Sequence, residues 1–267
     1  MPDPAPLSAS MLPSAEANAG AVAGIILAAG RGTRMGDLTR DLPKPLVPVL
    51  GRPAVCWVID GMISAGISKI ILVTGYLANQ VHQALAGYRA SEIEIAFVYQ
   101  EQQRGTADAM LLTRDLAGNH AVLLAYADIM TSPENFRAMV STYTSSTCDF
   151  TAAVRDAGDP WRAAAVYLDG NDRIRQIIEK PPPGTSTTPW SHAGMYCFSP
   201  EIYDYAARVS PSSRGELEIT DAVAMMLRDG KVGRAVELTG YWKDLATPAD
   251  ISEAESMMQD FSAGPAS

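Results

Sequence analysis

Four short apolar runs, at residues 22–28, 69–74, 93–99 and 121–127, alternate with helix-like segments at 54–65, 77–86 and 106–116. Each run is rich in Val, Ile and Leu and has the length of a strand buried on both faces. Strands separated by helical crossovers pair in parallel, because the crossover returns the chain to the same edge of the sheet. The pattern therefore predicts an α/β fold with a mostly parallel sheet, helices on both faces, and a ligand site at the carboxyl ends of the strands.

After Asp128 the rhythm changes. A helix expected at 133–145 is followed by strand-like runs at 149–155, 163–168, 173–179 and 193–198 whose spacing does not require parallel pairing. Helices at 200–208 and 217–229, a strand at 232–238 and a helix at 248–260 complete the expected elements. The Pro-rich loop at 181–189 is too short to separate domains. One domain over 23–267 is expected, with a nucleotide half and an acceptor half, preceded by a flexible Ala/Pro/Ser-rich tail at 1–22 that lacks the features of a secretory signal.

The chain has 267 residues, 47% hydrophobic content and a formal net charge of −9. That charge argues against broad nucleic-acid binding, which needs a basic surface to displace counterions. No apolar stretch approaches the length of a membrane span. The three cysteines, Cys56, Cys148 and Cys197, are scattered and lack zinc-ligand spacing, so a disulfide framework is not expected and a cytoplasmic location is. The composition does not set the oligomeric state and leaves a homo-oligomer open.

Any phosphate bound by so acidic a chain needs locally concentrated positive charge. The segment GIILAAGRGTRMGDLTRDLPKPL supplies it: a buried strand leads into a loop with Gly30, Gly32 and Gly36, surrounded by Arg31, Arg34, Arg40 and Lys44. Glycines let backbone N–H groups approach phosphate oxygens, and Arg and Lys supply charge. Neither the Walker A spacing nor G-x-G-x-x-G is present.

The pattern L-A-A-G-x-G-T-R-M followed by L-P-K-P-L resembles the signature of the sugar-phosphate nucleotidyltransferase family. YQEQQRGTADA at 99–109, LLAYAD at 123–128, IIEKP at 177–181, and HAGMYCF through GELEITDA to WKDLATPAD at 192–250 are similar to further stretches of that family, in its order. The resemblance implies a Rossmann-like three-layer α/β sandwich with a mixed, mostly parallel central sheet. It also implies an enzyme that joins an NTP to a sugar 1-phosphate with Mg²⁺.

It further implies residue roles. Leu27, Ala28, Ala29, Gly30, Gly32 and Thr33 would cradle the nucleotide, Arg34 would contact the triphosphate and Lys44 the α-phosphate. Asp128 and Asp244 would hold Mg²⁺, a set that suits an ion keeping water and phosphate oxygens as its other ligands. Gln100, Gly105 and Thr106 would meet the base, whereas Gln102, Gln103 and Arg104 read as a solvated loop. Glu179, Lys180, His192 and Gly194 would meet the acceptor.

Three positions depart from the family. His192 stands where many relatives carry Asn, and Ala164 and Ala127 replace glycines. An ionised acceptor phosphate needs no general base, which agrees with a chain whose three histidines form no Ser/His/Asp constellation. UTP or dTTP is the favoured donor. The altered acceptor positions also admit phosphocholine or another phosphorylated alcohol, and a non-catalytic nucleotide-binding regulatory subunit is the reading from another class.

Overall fold

The computed structural model describes residues 22–89, 91 and 93–263. The tail expected at 1–22 therefore lies outside the described residues except for Val22, which is the first residue of strand β1 (Val22–Ala28). Two 3-10 turns, at Thr33–Thr39 and Lys44–Leu46, precede a short hairpin of β2 (Pro48–Val49) and β3 (Arg52–Pro53). Then follow α1 (Ala54–Ser64), β4 (Lys69–Thr74), α2 (Ala78–Ala84), β5 (Glu94–Tyr99), α3 (Thr106–Leu111), α4 (Arg114–Ala117) and β6 (Ala121–Tyr126). The second half comprises β7 (Ile129–Thr131), α5 (Pro133–Ser145), β8 (Phe150–Asp156), β9 (Ala164–Leu168), β10 (Arg173–Glu179) and β11 (Trp190–Phe198). It closes with α6 (Ile202–Ala206), α7 (Ile219–Arg228), β12 (Gly233–Glu237), β13 (Trp242–Asp244) and α8 (Pro248–Ala263).

One 9-stranded sheet runs in the order β5-β4-β1-β6-β11-β8-β12-β10-β9. Strands β5, β4, β1 and β6 are mutually parallel, as the crossover helices require. Beyond β6, β11 is antiparallel to β6 and β8, β12 is parallel to β8, and β10 is antiparallel to β12 and β9. The sheet is mixed, and its parallel character is confined to the nucleotide half and the β8–β12 pair. The turn between β9 and β10 is too short for a crossover helix, so those strands must run antiparallel.

Alternation along the strands feeds two cores. Ile26 and Ala28 of β1, with Leu123 and Ala125 of β6, pack with α1, α2, α5 and α8 on one face. Ala23, Ile25, Val122 and Leu124 pack with α3, α6 and α7 on the other. The period of two places successive residues on opposite faces, which is why β1 and β6 carry apolar residues at consecutive positions. The helix expected over 106–116 is broken at Thr113, whose buried hydroxyl hydrogen-bonds the Met110 carbonyl at 2.7 Å and the Tyr203 hydroxyl at 2.8 Å.

Candidate active site

Strands β1 and β6 end side by side, with Leu27 opposite Tyr126. A cavity of about 420 Å³ opens at these carboxyl ends. Of the residues expected from sequence, Leu27, Ala28, Ala29, Gly30, Gly32, Thr33, Arg34, Lys44, Gln100, Gly105, Thr106 and Asp128 line it. Glu179, Lys180, His192, Gly194 and Asp244 do not. Tyr126, Glu216 and Gln103 are lining residues that sequence reasoning passed over. Gln103 in particular corrects the solvated-loop expectation: its Nε2 donates to the Ala29 carbonyl at 2.7 Å and ties the base segment to the phosphate loop.

The loop after β1 is braced from within. Met35 N–H donates to the Gly32 carbonyl at 2.8 Å, and the Thr39 hydroxyl donates to the same oxygen at 2.9 Å. Arg34 is exposed and has no ion-pair partner among the described residues, so its guanidinium is available to an anion. Lys44 follows Pro43, whose extended backbone starts the second 3-10 turn. Its Nζ donates to Asp128 Oδ2, which joins the ammonium and the carboxylate at one point of the cavity.

Gln100 closes the opposite wall and is 4% exposed. Its Nε2 donates to the Gly105 carbonyl at 3.2 Å and to Asp108 Oδ2 at 2.8 Å, while Arg104 holds the other Asp108 oxygen at 2.6 Å. Both neighbours of the amide nitrogen are acceptors, so the NH₂ group is committed to them and Oε1 remains to accept. Gly105 has φ 125°, and a Cβ there would lie 2.4 Å from the Leu217 carbonyl oxygen. That close approach lets Leu217 N–H reach the Arg104 carbonyl at 2.7 Å and Ala107 N–H reach the Leu217 carbonyl at 2.8 Å. Arg104 is thus engaged on both side chain and backbone, while its side chain stays exposed as expected of a solvated loop.

Asp244 reaches Asp128 through a contact that the sequence did not announce. Strand β13 pairs antiparallel with β7, Asp244 opposite Ile129, and Leu245 N–H donates to the Asp128 carbonyl at 2.9 Å. Asn135 fixes this pairing from α5: its Nδ2 donates to Thr131 Oγ1 at 2.7 Å and to the Thr239 carbonyl at 2.8 Å, and its Oδ1 accepts from Thr239 N–H at 3.0 Å. The two aspartates therefore sit on adjoining backbone, with Asp128 lining the cavity. That donor set fits a hard cation that takes one or two carboxylates and completes its shell with water and phosphate oxygens. Enclosure, then Glu179, Glu218 and Asp128 in that order, push the Tyr126 phenol well above its usual pKa.

The expected acceptor residues lie beside the cavity. Glu179 accepts from the Thr220 hydroxyl at 2.8 Å and faces Arg214 at 3.4 Å and Lys180 at 3.8 Å. Arg214 also pairs with Glu218, whose pKa is raised by burial against the opposing pull of Arg214. Ala164 is buried and stands opposite Glu179 in the β9–β10 register. In β11, His192 faces Val154 and Tyr196 faces Ala152, so residues 193–195 bulge opposite Ala153 alone. Gly194, with φ 85°, makes the bulge, and a Cβ there would lie 2.7 Å from Ile129.

His192 is turned into this bulge. Its Nε2 donates to the Met195 carbonyl at 3.1 Å and its Nδ1 accepts from Gly194 N–H at 3.4 Å. The ring stacks on Tyr196 at 3.9 Å, and burial pushes its pKa down to about 4. With both nitrogens engaged, His192 shapes the strand and has no free atom for an acceptor, which corrects the expectation of a direct contact.

A parallel half-sheet ending in a glycine-rich, basic loop, with two aspartates on adjoining backbone, defines an α/β protein with an anion-suited cavity at its strand ends. The chain matches the Nucleotidyl transferase family over residues 23–260 and belongs to it. It is 30% identical over 243 residues to the UTP–glucose-1-phosphate uridylyltransferase AglF of Haloferax volcanii, a match covering 88% of this chain and 96% of that protein. It is 31% identical over 238 residues to a glucose-1-phosphate thymidylyltransferase of Neisseria meningitidis, covering 88% and 82%. A third relative, the low-salt glycan biosynthesis nucleotidyltransferase Agl11 of H. volcanii, is 31% identical over 238 residues; 88% of this chain spans 65% of its length. Among solved structures, a Bacillus anthracis protein assigned as a glucose-1-phosphate thymidylyltransferase, in complex with sucrose, superposes with a TM-score of 0.81 at 27% identity, covering 90% and 96%. A UDP-glucose pyrophosphorylase complexed with UDP-glucose shares the fold, with a TM-score of 0.79 at 21% identity over 90% of this chain and 99% of that one.

Proposed function

We propose that the protein transfers a nucleotidyl group from UTP or dTTP to a sugar 1-phosphate, giving a nucleotide sugar and pyrophosphate. The observation that supports this most is the convergence of Arg34, Lys44, Asp128 and the Gln100 carboxamide on one cavity. An acceptor phosphate oxygen attacks the α-phosphorus in line and the P–O bond to pyrophosphate breaks. The nucleophile is already ionised at neutral pH, so the protein must supply alignment and charge compensation.

In this reading the backbone from Ala29 to Thr33 receives the phosphates and Arg34 steadies the leaving pyrophosphate. Lys44 compensates charge at the α-phosphate. Asp128 and Asp244 would hold Mg²⁺, which when bound offsets triphosphate charge and polarises the phosphoryl group. Gln100 Oε1 accepts from the base, which favours the N3–H of uracil or thymine over the N3 acceptor of cytosine or the N1 acceptor of adenine. Guanine N1–H and the exocyclic amines of cytosine and adenine also offer N–H groups, but AglF and the Neisseria meningitidis relative are named for uridylyl and thymidylyl transfer. Glu179, Lys180 and the Gly194 bulge face the acceptor.

The test is pyrophosphate release from each NTP with Mg²⁺, a panel of sugar 1-phosphates, and phosphocholine. Release with UTP or dTTP and a sugar 1-phosphate is expected, with Asp128→Asn reducing kcat by roughly 100-fold or more, the scale of losing a charge-stabilising group. Transfer to phosphocholine alone would refute the sugar reading. Nucleotide binding without turnover on any acceptor would replace the enzyme with a regulatory subunit.

A further inference from the structure

In the acceptor half, most cations are matched to carboxylates: Lys180 to Glu179, and Arg214 to Glu179, Glu216 and Glu218. Arg155 on β8 is one of several cations there without an ion pair; Arg234 shares its buried, unpartnered Nε, and Asp244 and Asp156 act on Arg155 electrostatically. Among the described residues no carboxylate lies within ion-pair distance of it. Its Nη1 donates only to the Asp156 backbone carbonyl at 3.4 Å, and its Nε is buried with no hydrogen-bond partner. Arg155 is half-exposed, with outer N–H groups open to solvent, so the buried Nε–H is the donor whose lack of a partner costs free energy.

The surroundings put this group beside the strand that carries the proposed acceptor-facing bulge. Arg155 stands opposite Ser191 in the β8–β11 register, on the strand that goes on to form the Gly194 bulge. Its guanidinium lies over the Trp242 ring, Cζ 4.2 Å from the centroid. Trp242 opens β13, which ends at Asp244, and its indole N–H donates to the Ala193 carbonyl at 2.9 Å. Stacking fixes the plane of the guanidinium and leaves its edge to bind an anion in bidentate fashion. The acceptor's own 1-phosphate has to meet the α-phosphorus beside Lys44 and Asp128, in a cavity that Arg155 does not line.

We propose that Arg155, stacked on Trp242, is a specificity-determining residue that binds an anionic substituent of the acceptor additional to its 1-phosphate, either a ring carboxylate or a second phosphate. The inference rests on the nucleotidyltransferase reading above. It names the acceptor as an acidic sugar phosphate, such as a hexuronic acid 1-phosphate, in place of a neutral hexose 1-phosphate.

The test compares kcat/KM for glucose 1-phosphate, glucuronic acid 1-phosphate and glucose 1,6-bisphosphate, with the preferred NTP and Mg²⁺, in wild type, Arg155→Met and Arg155→Lys. Wild type is expected to favour one charged acceptor by about tenfold or more, the factor of a charge-assisted hydrogen bond, and which one it favours separates carboxylate from phosphate. Arg155→Met should lose that preference through KM for the acceptor while still using glucose 1-phosphate. Arg155→Lys should retain part of it, since the charge remains and the fork does not. If Arg155→Met melts far below wild type, the Lys variant decides. Wild type preferring glucose 1-phosphate, or either variant keeping the full preference, would overturn the proposal and leave the nucleotidyltransferase reading standing. Wild type releasing pyrophosphate with no acceptor would overturn both.

Discussion

Replacing Gln100 by Leu isolates the contribution of a single carbonyl oxygen to choice of base. In the folded protein both Gln100 amide hydrogens are held by the Gly105 carbonyl and Asp108, which leaves Oε1 to accept. Pairing Oε1 with an imide N3–H gains about 1 kcal/mol, whereas facing it with the N3 of cytosine leaves buried acceptors unpaired at about 1 to 3 kcal/mol. The difference, about 2 to 4 kcal/mol, is roughly a 30- to 900-fold preference for UTP over CTP in kcat/KM.

Gln100→Leu removes the acceptor for both bases, so UTP should fall by about tenfold and the UTP-to-CTP ratio should shrink to within about threefold. Asp108 keeps Arg104 as its partner, so the fold should survive, and a melting curve checks that. Steady-state pyrophosphate release with the two nucleotides at a fixed acceptor concentration reads the ratio. A Leu variant that still discriminates more than about 30-fold, the lower limit of that range, would refute the argument, and so would a wild type indifferent between the two.

Two further outcomes follow from the geometry. Gly105→Ala forces a Cβ to within 2.4 Å of the Leu217 oxygen at φ 125°. It should cost about 2 to 4 kcal/mol, lower Tm by roughly 4 to 16 °C and raise KM for the NTP; an unchanged melting curve would count against the stapling of residues 104–107 to Leu217. His192 is buried with its pKa lowered to about 4, so the folded state binds fewer protons than the unfolded one, where the group titrates near 6.5. Its stabilising effect is complete above pH 6.5 and is lost as pH falls toward 4, by about 3 kcal/mol. Urea unfolding at pH 7 and pH 4.5 should show this loss in wild type and a smaller one in His192→Asn; equal slopes would remove His192 as the cause.

The sequence by itself determined the elements of the nucleotide half. Runs this rich in apolar residues had to be largely covered strands, and the intervening helices forced β5, β4, β1 and β6 into parallel register. The glycine-rich loop with Arg34 and Lys44 was legible for a similar reason: local backbone freedom and local charge are properties of neighbouring residues. Tertiary structure alone decided what depends on residues far apart in the chain. Asp244 adjoins Asp128 because the short strands β7 and β13 pair, and segments of that length leave no periodic signal. Gln100 has only its Oε1 left for a ligand because Gly105 and Asp108 have taken its hydrogens. His192 is absorbed by a bulge, and Gln103 is drawn in by the Ala29 carbonyl. In each case a residue type permits several hydrogen-bonding roles, and only the partners brought to it by the fold select one.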